Sequence, residues 1–443
     1  MSDVLLIWPQ ALLGDPEVEA LENRLLPLGL AYVGAALEAA GYSVAALDMV
    51  VERADTDAAV RACERERPRL VGLSCTSLSF GRARAVARAI KEAFPDTPLM
   101  MGGPHVTFAD EETLASSPVD VIVRGEGEAS AVEVARCLLE GYGELGDIQG
   151  VSLRTPNGFV RTADRPPLQN LDLLPLPARH LFPVRRYTGH PIVSSRGCPF
   201  KCIFCSAGAM AGGRYRLRRP ESVVREVAQT VETHGDARFL FVDDTLTSQI
   251  DRTVAMCRML AEQCPGTSWK CESRVDVAHP SLFAVMRDAG CTGLQFGVES
   301  GDPGILRRIG KAITPQQVVR AVEAALSAGF DEVVCSFIIG HPFDNEETVG
   351  RTLELARFLK DMGASGGRSR VAIRMTVLVP FPGTEVHRRA SEWGLAILSG
   401  DWGGVAPDDI LVETAFLSRR KLRALQFKSQ TMLELGWRGD SET

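Results

Sequence analysis

Two blocks of alternating strand-like and helix-like hydrophobic patterning divide the chain. In the first, residues 1 to about 145, short apolar runs occur at Val4 to Trp8, Ser43 to Leu47, Leu70 to Cys75, Leu99 to Met101 and Val119 to Val123, separated by amphipathic stretches of helical length. The first helix is expected to open near Pro27, carry Leu30, Val33, Leu37 and Ala40 on one side, and stop at Gly41. This alternation predicts an α/β domain with a doubly wound, flavodoxin-like parallel sheet. Ligands of such sheets sit beyond the carboxyl ends of the strands.

Residues 146 to 189 read as a connector: two short strand-like runs flank the turn Pro156-Asn157-Gly158, and Pro166, Pro167, Pro175, Pro177 and Pro183 then forbid a regular helix. From 190 to 393 the alternation resumes. Strands are expected at Ile192 to Ser195, Phe239 to Val242, Ser268 to Glu272, Gly293 to Val298, Glu332 to Ile339 and Val371 to Val379. Helices are expected at Glu221 to His234, Arg252 to Gln263, Pro280 to Ala289, Thr314 to Ala328, Glu346 to Met362 and Thr384 to Trp393. A complete eightfold barrel takes about 250 residues, so a partial (β/α)6 barrel is the better expectation. Residues 394 to 443 read as a short helical tail capping the open side, with Leu422, Leu425, Met432 and Leu435 at near-helical spacing between Ser418 and Leu435.

The densest chemistry is Cys198, Cys202 and Cys205, a C-x3-C-x2-C array. Three cysteines so close do not make a disulfide framework; they read as thiolates converging on a metal. An iron-sulfur cube with three protein ligands leaves one iron for a substrate; a structural Cys3His zinc site, with His190 or His180 as fourth ligand, is the alternative. Other barrel strands end in equally unusual residues: Asp243-Asp244, Glu272 with Arg274, Glu299-Ser300, Gly340-His341-Pro342 and Pro380 to Gly383. Chemistry in barrels gathers at that edge. Asp243 and Asp244 suit cofactor contacts or a helix N-cap, and Arg274 suits a carboxylate or simply Asp276. His341 and Tyr215 are candidates for proton transfer.

In the first block the strand-end loops are Trp8-Pro9-Gln10, Ser74-Cys75-Thr76-Ser77, Gly102-Gly103-Pro104-His105 and Gly125-Glu126-Gly127-Glu128. None is a G-x-G-x-x-G fingerprint, and two glutamates would repel a pyrophosphate. Small residues and hydroxyls on neighbouring strand ends suit a large, flat, mostly uncharged ligand, although Gly102 and Gly103 also fit plain turn glycines.

A formal net charge of -7 argues against a general nucleic-acid or anionic-membrane surface and leaves a small-molecule or peptide partner. The run Arg214 to Arg219 is then expected to be a solvated rim or a contact to anionic cofactor groups. No apolar run reaches the roughly 18 residues of a membrane span, and the N-terminus lacks signal-peptide features. Eleven cysteines with one dense cluster fit a reducing compartment, so a cytoplasmic location is expected. Cys63, Cys137, Cys257, Cys264, Cys291 and Cys335 read as small core hydrophobes.

The order Pro27-Leu28-Gly29-Leu30, Gly102-Gly103-Pro104-His105 and Arg124-Gly125-Glu126-Gly127-Glu128 resembles the cobalamin-binding domain that precedes a subset of radical S-adenosylmethionine enzymes. The Asp-x-His-x-x-Gly signature of the wider cobalamin family is replaced by Pro9-Gln10-Ala11-Leu12-Leu13-Gly14, which offers cobalt no lower axial histidine. The second block resembles the radical S-adenosylmethionine superfamily over nearly its whole length. The resemblance rests on the cysteine loop with Phe204 before its last cysteine, Phe239 to Asp244, Gly297-Val298-Glu299-Ser300-Gly301, Ile338 to Pro342, and Pro380 to Gly383. One departure is Gly340 to Asn345, where relatives usually carry Gly-x-Pro-Gly-Glu-Thr.

The resemblance implies three cofactors: a 4Fe-4S cluster on Cys198, Cys202 and Cys205, S-adenosyl-L-methionine and cobalamin. By the same resemblance, Phe204, Asp243, Arg274, Glu299 and Ser300 would contact the S-adenosyl-L-methionine side. Ser74, Thr76, Ser77, Gly102, Gly103, His105, Gly125, Glu126 and Gly127 would line the cobalamin edge. It further implies methyl transfer from methylcobalamin to a substrate carbon radical, fed by an external electron donor such as flavodoxin or ferredoxin. Ring rearrangement, cyclisation or oxidation without methyl transfer is the alternative. A methylthiotransferase needs three further N-terminal cysteines, and Cys63, Cys75 and Cys137 have the wrong spacing. A sensor without catalysis is disfavoured by the assembled barrel mouth.

Overall fold

The protein is described here by a computed structural model covering residues 1–9, 25–156, 158–365, 370–405 and 409–435. Residues Gln10 to Gly14 and Asn157 lie outside the described residues, as do the side chains of Met432 and Leu435. The chain forms two compact units. One comprises Met1–Pro191, Ala209–Gly212 and Ser399–Asp409; the other comprises Ile192–Gly208, Gly213–Leu398 and Ile410–Thr443.

The first unit is built on β1 (Val4–Trp8), β2 (Val44–Asp48), β3 (Leu70–Ser74), β4 (Leu99–Gly102) and β5 (Val121–Val123). Their spatial order, 2-1-3-4-5, is the flavodoxin-like winding, with the order reversing between β1 and β3. Near-continuous apolar strands are needed because helices cover both faces, and Val4, Leu5, Leu6 and Ile7 are all fully buried. The covering helices are α1 (Leu28–Ala39), α2 (Thr56–Glu66), α3 (Phe80–Ala93), α4 (Pro104–Phe108), α5 (Asp110–Ser116) and α6 (Gly127–Glu140). Local signals set their ends: Asp55 caps α2 by accepting from Ala58 N at 2.7 Å, and Gly141 closes α6 in the left-handed region.

The hairpin flanking Pro156 joins this sheet, since β6 (Val151–Thr155) pairs antiparallel with β5 and β7 (Gly158–Arg161) continues outward. The proline-rich strap that follows is tied down. Leu168 N donates to a Glu126 carboxylate oxygen at 3.1 Å, and the Tyr187 hydroxyl donates to buried Asp48 at 2.7 Å.

The second unit is a six-stranded open barrel in the order β15-β14-β13-β12-β11-β8. Its strands are β8 (His190–Ile192), β11 (Arg238–Phe241), β12 (Ser268–Ser273), β13 (Cys291–Glu299), β14 (Glu332–Ile339) and β15 (Arg370–Val377), the last five pairing parallel. Between β8 and β11 lie β9 (Ser195–Arg196), α7 (Ala207–Met210), β10 (Arg216–Leu217) and α8 (Pro220–His234). Later come α9 (Ile250–Gln263), α10 (Pro280–Asp288), α11 (Pro303–Arg308), α12 (Pro315–Ser327), α13 (Glu346–Ser365) and α14 (Glu385–Arg388). Proline at the first turn opens α8, α10, α11 and α12, and a Thr314/Gln317 capping box fixes α12. One face of the sheet packs Phe241, Trp269, Phe296 and Phe337 under these helices. The other carries Lys270, Glu272, Gln295 and Arg374.

Two expectations are corrected. The first barrel strand stops at Ile192 rather than Ser195, because the Ser194 backbone N–H turns to the Asp243 carboxylate instead of the strand ladder, and Ser195 pairs with Leu217 in the separate β9–β10 ribbon. The sixth helix is only α14; from Arg389 the chain proceeds in turns to Gly394, where φ is +63°. The tail divides. Trp402 stands edge-on to His105 at 6.1 Å in the first unit, while β16 (Ala396–Ile397), β17 (Val412–Glu413) and α15 (Arg419–Leu435) belong with the barrel. Leu422 and Leu425 of α15 bury themselves with Ile339, Val377 and Val386. Among the described residues no helix is long and apolar enough to cross a membrane.

Candidate active site

The cysteine loop follows β8 and is shaped by backbone contacts from two distant segments. Ile203 N donates to Ile309 O at 3.1 Å, and Val386 N donates to Ile203 O at 2.9 Å. Gly310 is required at its position: φ is +73°, and a Cβ there would meet Lys201 O at 2.6 Å. All three cysteines are free thiols, with Cys198 and Cys202 half-buried and Cys205 exposed. Burial pushes each thiol up, Cys205 to about 11; Cys198 also feels the charge of Cys202, and Cys205 that of both others. At Cys202 burial is opposed by the cations of Lys311 and Arg274.

Those cations are themselves fixed. The Arg274 guanidinium pairs with both Asp276 carboxylate oxygens at 2.9 Å, donates to Lys311 O at 2.9 Å and lies 3.6 Å over the Phe200 ring. The simpler pairing with Asp276 is therefore what the structure contains, and Arg274 acts on Cys202 as a positive charge. Lys311 Nζ is 3.0 Å from Glu299 Oε1, both side chains being buried. Glu299 ends β13 at a register shift with φ +71°, a left-handed conformation that costs a glutamate about 1–3 kcal/mol and is kept only where surroundings enforce it. The Ser300 hydroxyl bonds Thr352 at 3.1 Å and accepts from Asp302 N at 3.1 Å, so it braces the turn after β13.

Asp243 is buried and caps no helix; α9 starts from Gln249. Its carboxylate accepts from Ser194 N and Ser194 Oγ, the latter at 2.8 Å, and from Ser195 Oγ, which fixes the strand that launches the cysteine loop. Its neighbour Asp244 has its carboxyl pushed up, by burial first and then by Asp243. Glu272 faces the open side of the barrel, solvent-reachable yet ringed by protein. Burial, then Asp244, then Glu299 raise its carboxyl to about 7, while Lys311 and Arg374 pull the other way. Gln295 donates to it at 3.0 Å and accepts from Arg374 at 3.3 Å.

Other sequence candidates sit in enclosed surroundings. His341 is fully buried, neither ring nitrogen has a hydrogen-bond partner, and burial lowers it to about 3, so it is a neutral ring packed 5.7 Å from the half-buried Phe204 ring. Tyr215 donates to Thr245 O at 3.5 Å. The arginine run is not a solvated rim at its centre: Arg216 and Arg218 are buried, and Arg218 bonds Val193 O at 2.8 Å and Glu226 at 2.5 Å. Lys311, Phe200, Gln295 and Arg374 were missed by sequence reasoning. Lys311 lies in a turn after α11 and Phe200 within the cysteine loop, with no spacing rule to flag them; the strand alternation that places Gln295 and Arg374 on the open face of the sheet was a usable signal.

In the first unit, the loops after β3, β4 and β5 are stitched into one edge. Cys75 N donates to Gly102 O at 2.9 Å, and Gly125 N bonds Thr107 Oγ1 at 3.0 Å. Gly103 has φ +109°, and a Cβ there would meet Cys75 O at 2.4 Å. Ser74, Thr76, Gly102, Gly125 and Gly127 are half-buried with little or no side chain, a low rim against which a broad flat molecule can lie. Ser77 and His105 are enclosed instead: Ser77 Oγ is 3.0 Å from His105 Nδ1, and the ring stacks on Phe80 at 4.3 Å. Burial lowers His105 to about 4, leaving it neutral with Nε2 unpartnered. Glu126 is committed to Leu168 of the strap.

Among the described residues, no group of three or more His, Cys, Asp or Glu side chains surrounds a single-ion position. His180 pairs with exposed Glu38 at 2.9 Å. A tetrahedral zinc needs its ligands to meet at one point, whereas each thiolate of a cube binds its own iron. Three free thiols on one loop beside two cations fit the cube. The protein thus has the architecture of an enzyme with an iron-sulfur barrel preceded by a doubly wound ligand-binding domain.

Comparison with known proteins agrees. Residues 18–135 match the B12 binding domain and residues 192–356 the radical SAM superfamily. The chain is 34% identical over 399 residues to the uncharacterized methyltransferase PH0819 of Pyrococcus horikoshii, covering 87% of this chain and 84% of that protein. It is 27% identical over 368 residues to the anaerobic magnesium-protoporphyrin IX monomethyl ester cyclase of Rubrivivax gelatinosus, covering 80% of this chain and 65% of that one. In fold it resembles the radical S-adenosylmethionine methyltransferase TsrM from Kitasatospora setae, solved with cobalamin and a [4Fe-4S] cluster: the TM-score is 0.73 at 20% identity, covering 90% of this chain and 81% of TsrM. The chain belongs to the cobalamin-binding radical S-adenosylmethionine family. Its cofactors are a [4Fe-4S] cluster, S-adenosylmethionine and cobalamin.

Proposed function

We propose that this enzyme is a cobalamin-dependent radical methyltransferase acting on an unactivated carbon of a small molecule or peptide. The observation that carries the reading is the three-cysteine loop at the carboxyl edge of the barrel, beside a carboxylate group made of Asp244, Glu272 and Glu299. When bound, the cofactors supply an electron, a hydrogen-abstracting 5'-deoxyadenosyl group and a transferable methyl. The chain's residues do the positioning. Cys198, Cys202 and Cys205 would hold the cluster through three thiolates, leaving it a position open to S-adenosylmethionine. The carboxylate group would favour the cationic cofactor by charge, and Lys311 and Arg274 would offset the thiolate charge. Residues 1–145 would hold cobalamin on the low rim after β3, β4 and β5. The free state of all eleven cysteines suits the reducing cytoplasm, to which we assign the protein.

The test is anaerobic turnover with reconstituted cluster and cobalamin. Methylated product with equal 5'-deoxyadenosine and S-adenosylhomocysteine is expected. The cyclase relative motivates a second reading, oxidation or cyclisation without methyl transfer, and 5'-deoxyadenosine without S-adenosylhomocysteine would favour it. Neither product from any substrate would sink both.

Glu272 gives this site a pH signature. Its carboxyl is raised to about 7, so it is largely neutral at pH 6 and anionic at pH 8. A cationic cofactor binds better to the anion. S-adenosylmethionine affinity should therefore rise by about fivefold between those pH values, roughly 1 kcal/mol of charge interaction. Anaerobic calorimetry checks this, and Glu272→Gln should flatten the profile; an unchanged profile places the cofactor elsewhere.

A further inference from the structure

The outer side of the cysteine loop carries positive charge that the chemistry above does not use. Lys201 lies within the loop, Arg307 and Arg308 end α11 just before Ile309, and Arg388 ends α14 just after Val386. Ile309 and Val386 are the two residues whose backbones grip Ile203, so all four cations belong to segments in direct contact with the loop. All four are solvent-exposed, and none has a carboxylate partner among the described residues. The nearest acids of α14 and its following turn are spent, Glu385 and Glu392 both pairing with Arg389. Beside the cations runs an aromatic ledge: Arg308 lies 3.4 Å over Phe343, and Phe343 meets Trp393 edge-on at 5.4 Å. Arginine next to half-buried aromatic rings is the composition of protein-binding hot spots rather than of an inert solvated surface. In a chain whose formal net charge is -7, a local basic face has a local purpose.

We infer that Lys201, Arg307, Arg308 and Arg388, with the Phe343–Trp393 ledge, form the docking surface for an acidic one-electron carrier protein, of flavodoxin or ferredoxin type. This rests on the proposed radical chemistry, which consumes one electron per S-adenosylmethionine cleaved. The carrier's reduced flavin or iron-sulfur centre loses that electron and the protein's cluster gains it; no proton or atom is transferred. Electron transfer rates fall steeply with distance, so a carrier should dock over the segments that clamp the cluster loop. Opposite charges speed encounter and fix orientation, and their effect weakens with salt.

The test uses the full chain, reconstituted, and its double variant Arg307→Glu/Arg388→Glu, two exposed positions with no ion pair to lose. Calorimetry with oxidised bacterial flavodoxin, which involves no turnover, should show at least about a tenfold loss of affinity at low ionic strength, and the wild type's salt dependence should largely vanish. The apparent KM for reduced flavodoxin should rise in step, while dithionite-driven 5'-deoxyadenosine formation stays at the wild-type rate. Equal flavodoxin affinity and equal salt dependence in both proteins would overturn the inference, as would loss of single-stranded RNA binding with flavodoxin binding intact. If dithionite yields no 5'-deoxyadenosine with the wild type, the catalytic reading fails, and the calorimetry still decides the docking surface.

Discussion

Replacing any one of Cys198, Cys202 or Cys205 by alanine is expected to take 5'-deoxyadenosine formation to background and to lower bound iron and sulfide after reconstitution. Two thiolates leave a cube with a second open iron, which exchanges with solvent and thiols, so both retention and potential suffer. The loop's shape is held by Ile203, Ile309 and Val386 backbones, none of which involves the sulfurs. The substitutions should therefore leave the fold and cobalamin binding intact, as read by circular dichroism and by the absorbance of bound cobalamin. Retained 5'-deoxyadenosine at one of the three positions would remove that cysteine from the cluster.

Lys311→Ala is expected to have the largest effect on stability. It strands the Glu299 carboxylate in a buried site whose backbone is already held in the left-handed region. Breaking a buried pair from one side costs about 3–5 kcal/mol, because the remaining charge has lost its partner but not its burial. Thermal unfolding should show a drop of several degrees or more. The double variant Lys311→Met/Glu299→Gln should recover much of that loss while remaining impaired in S-adenosylmethionine cleavage. Recovery of both stability and cleavage would reduce Glu299 to a purely architectural residue.

Sequence patterning read the first sheet well because its parallel strands, covered on both faces, carry an unbroken apolar signal, and the barrel because its strands keep one packed apolar face. Val4 to Trp8 and Glu332 to Ile339 coincide with β1 and β14. It failed where a side chain takes over a backbone's partner. Asp243 accepts the Ser194 backbone N–H, which ends β8 early, and no periodicity records that substitution. The cysteine array was legible because its ligands are local in sequence. Lys311 and Phe200 were not read, because their meaning lies in contacts made only after folding, whereas Gln295 and Arg374 could have been placed on the open face by strand alternation. The arginines at 216 and 218 misled for the complementary reason: charge predicts solvent exposure unless a buried carboxylate such as Glu226 and nearby carbonyls await it.

The grip of Ile309 and Val386 on Ile203 also orders events in time. During synthesis the cysteine loop leaves the ribosome long before either of its clamps exists. Nothing then holds its thiols at cube spacing, and the position facing Gly310 is still empty of its partner turn. The clamped form of the loop is therefore complete only after Val386 has been translated, and a chain truncated before it should retain less iron after reconstitution than the full chain, as iron and sulfide analysis would read.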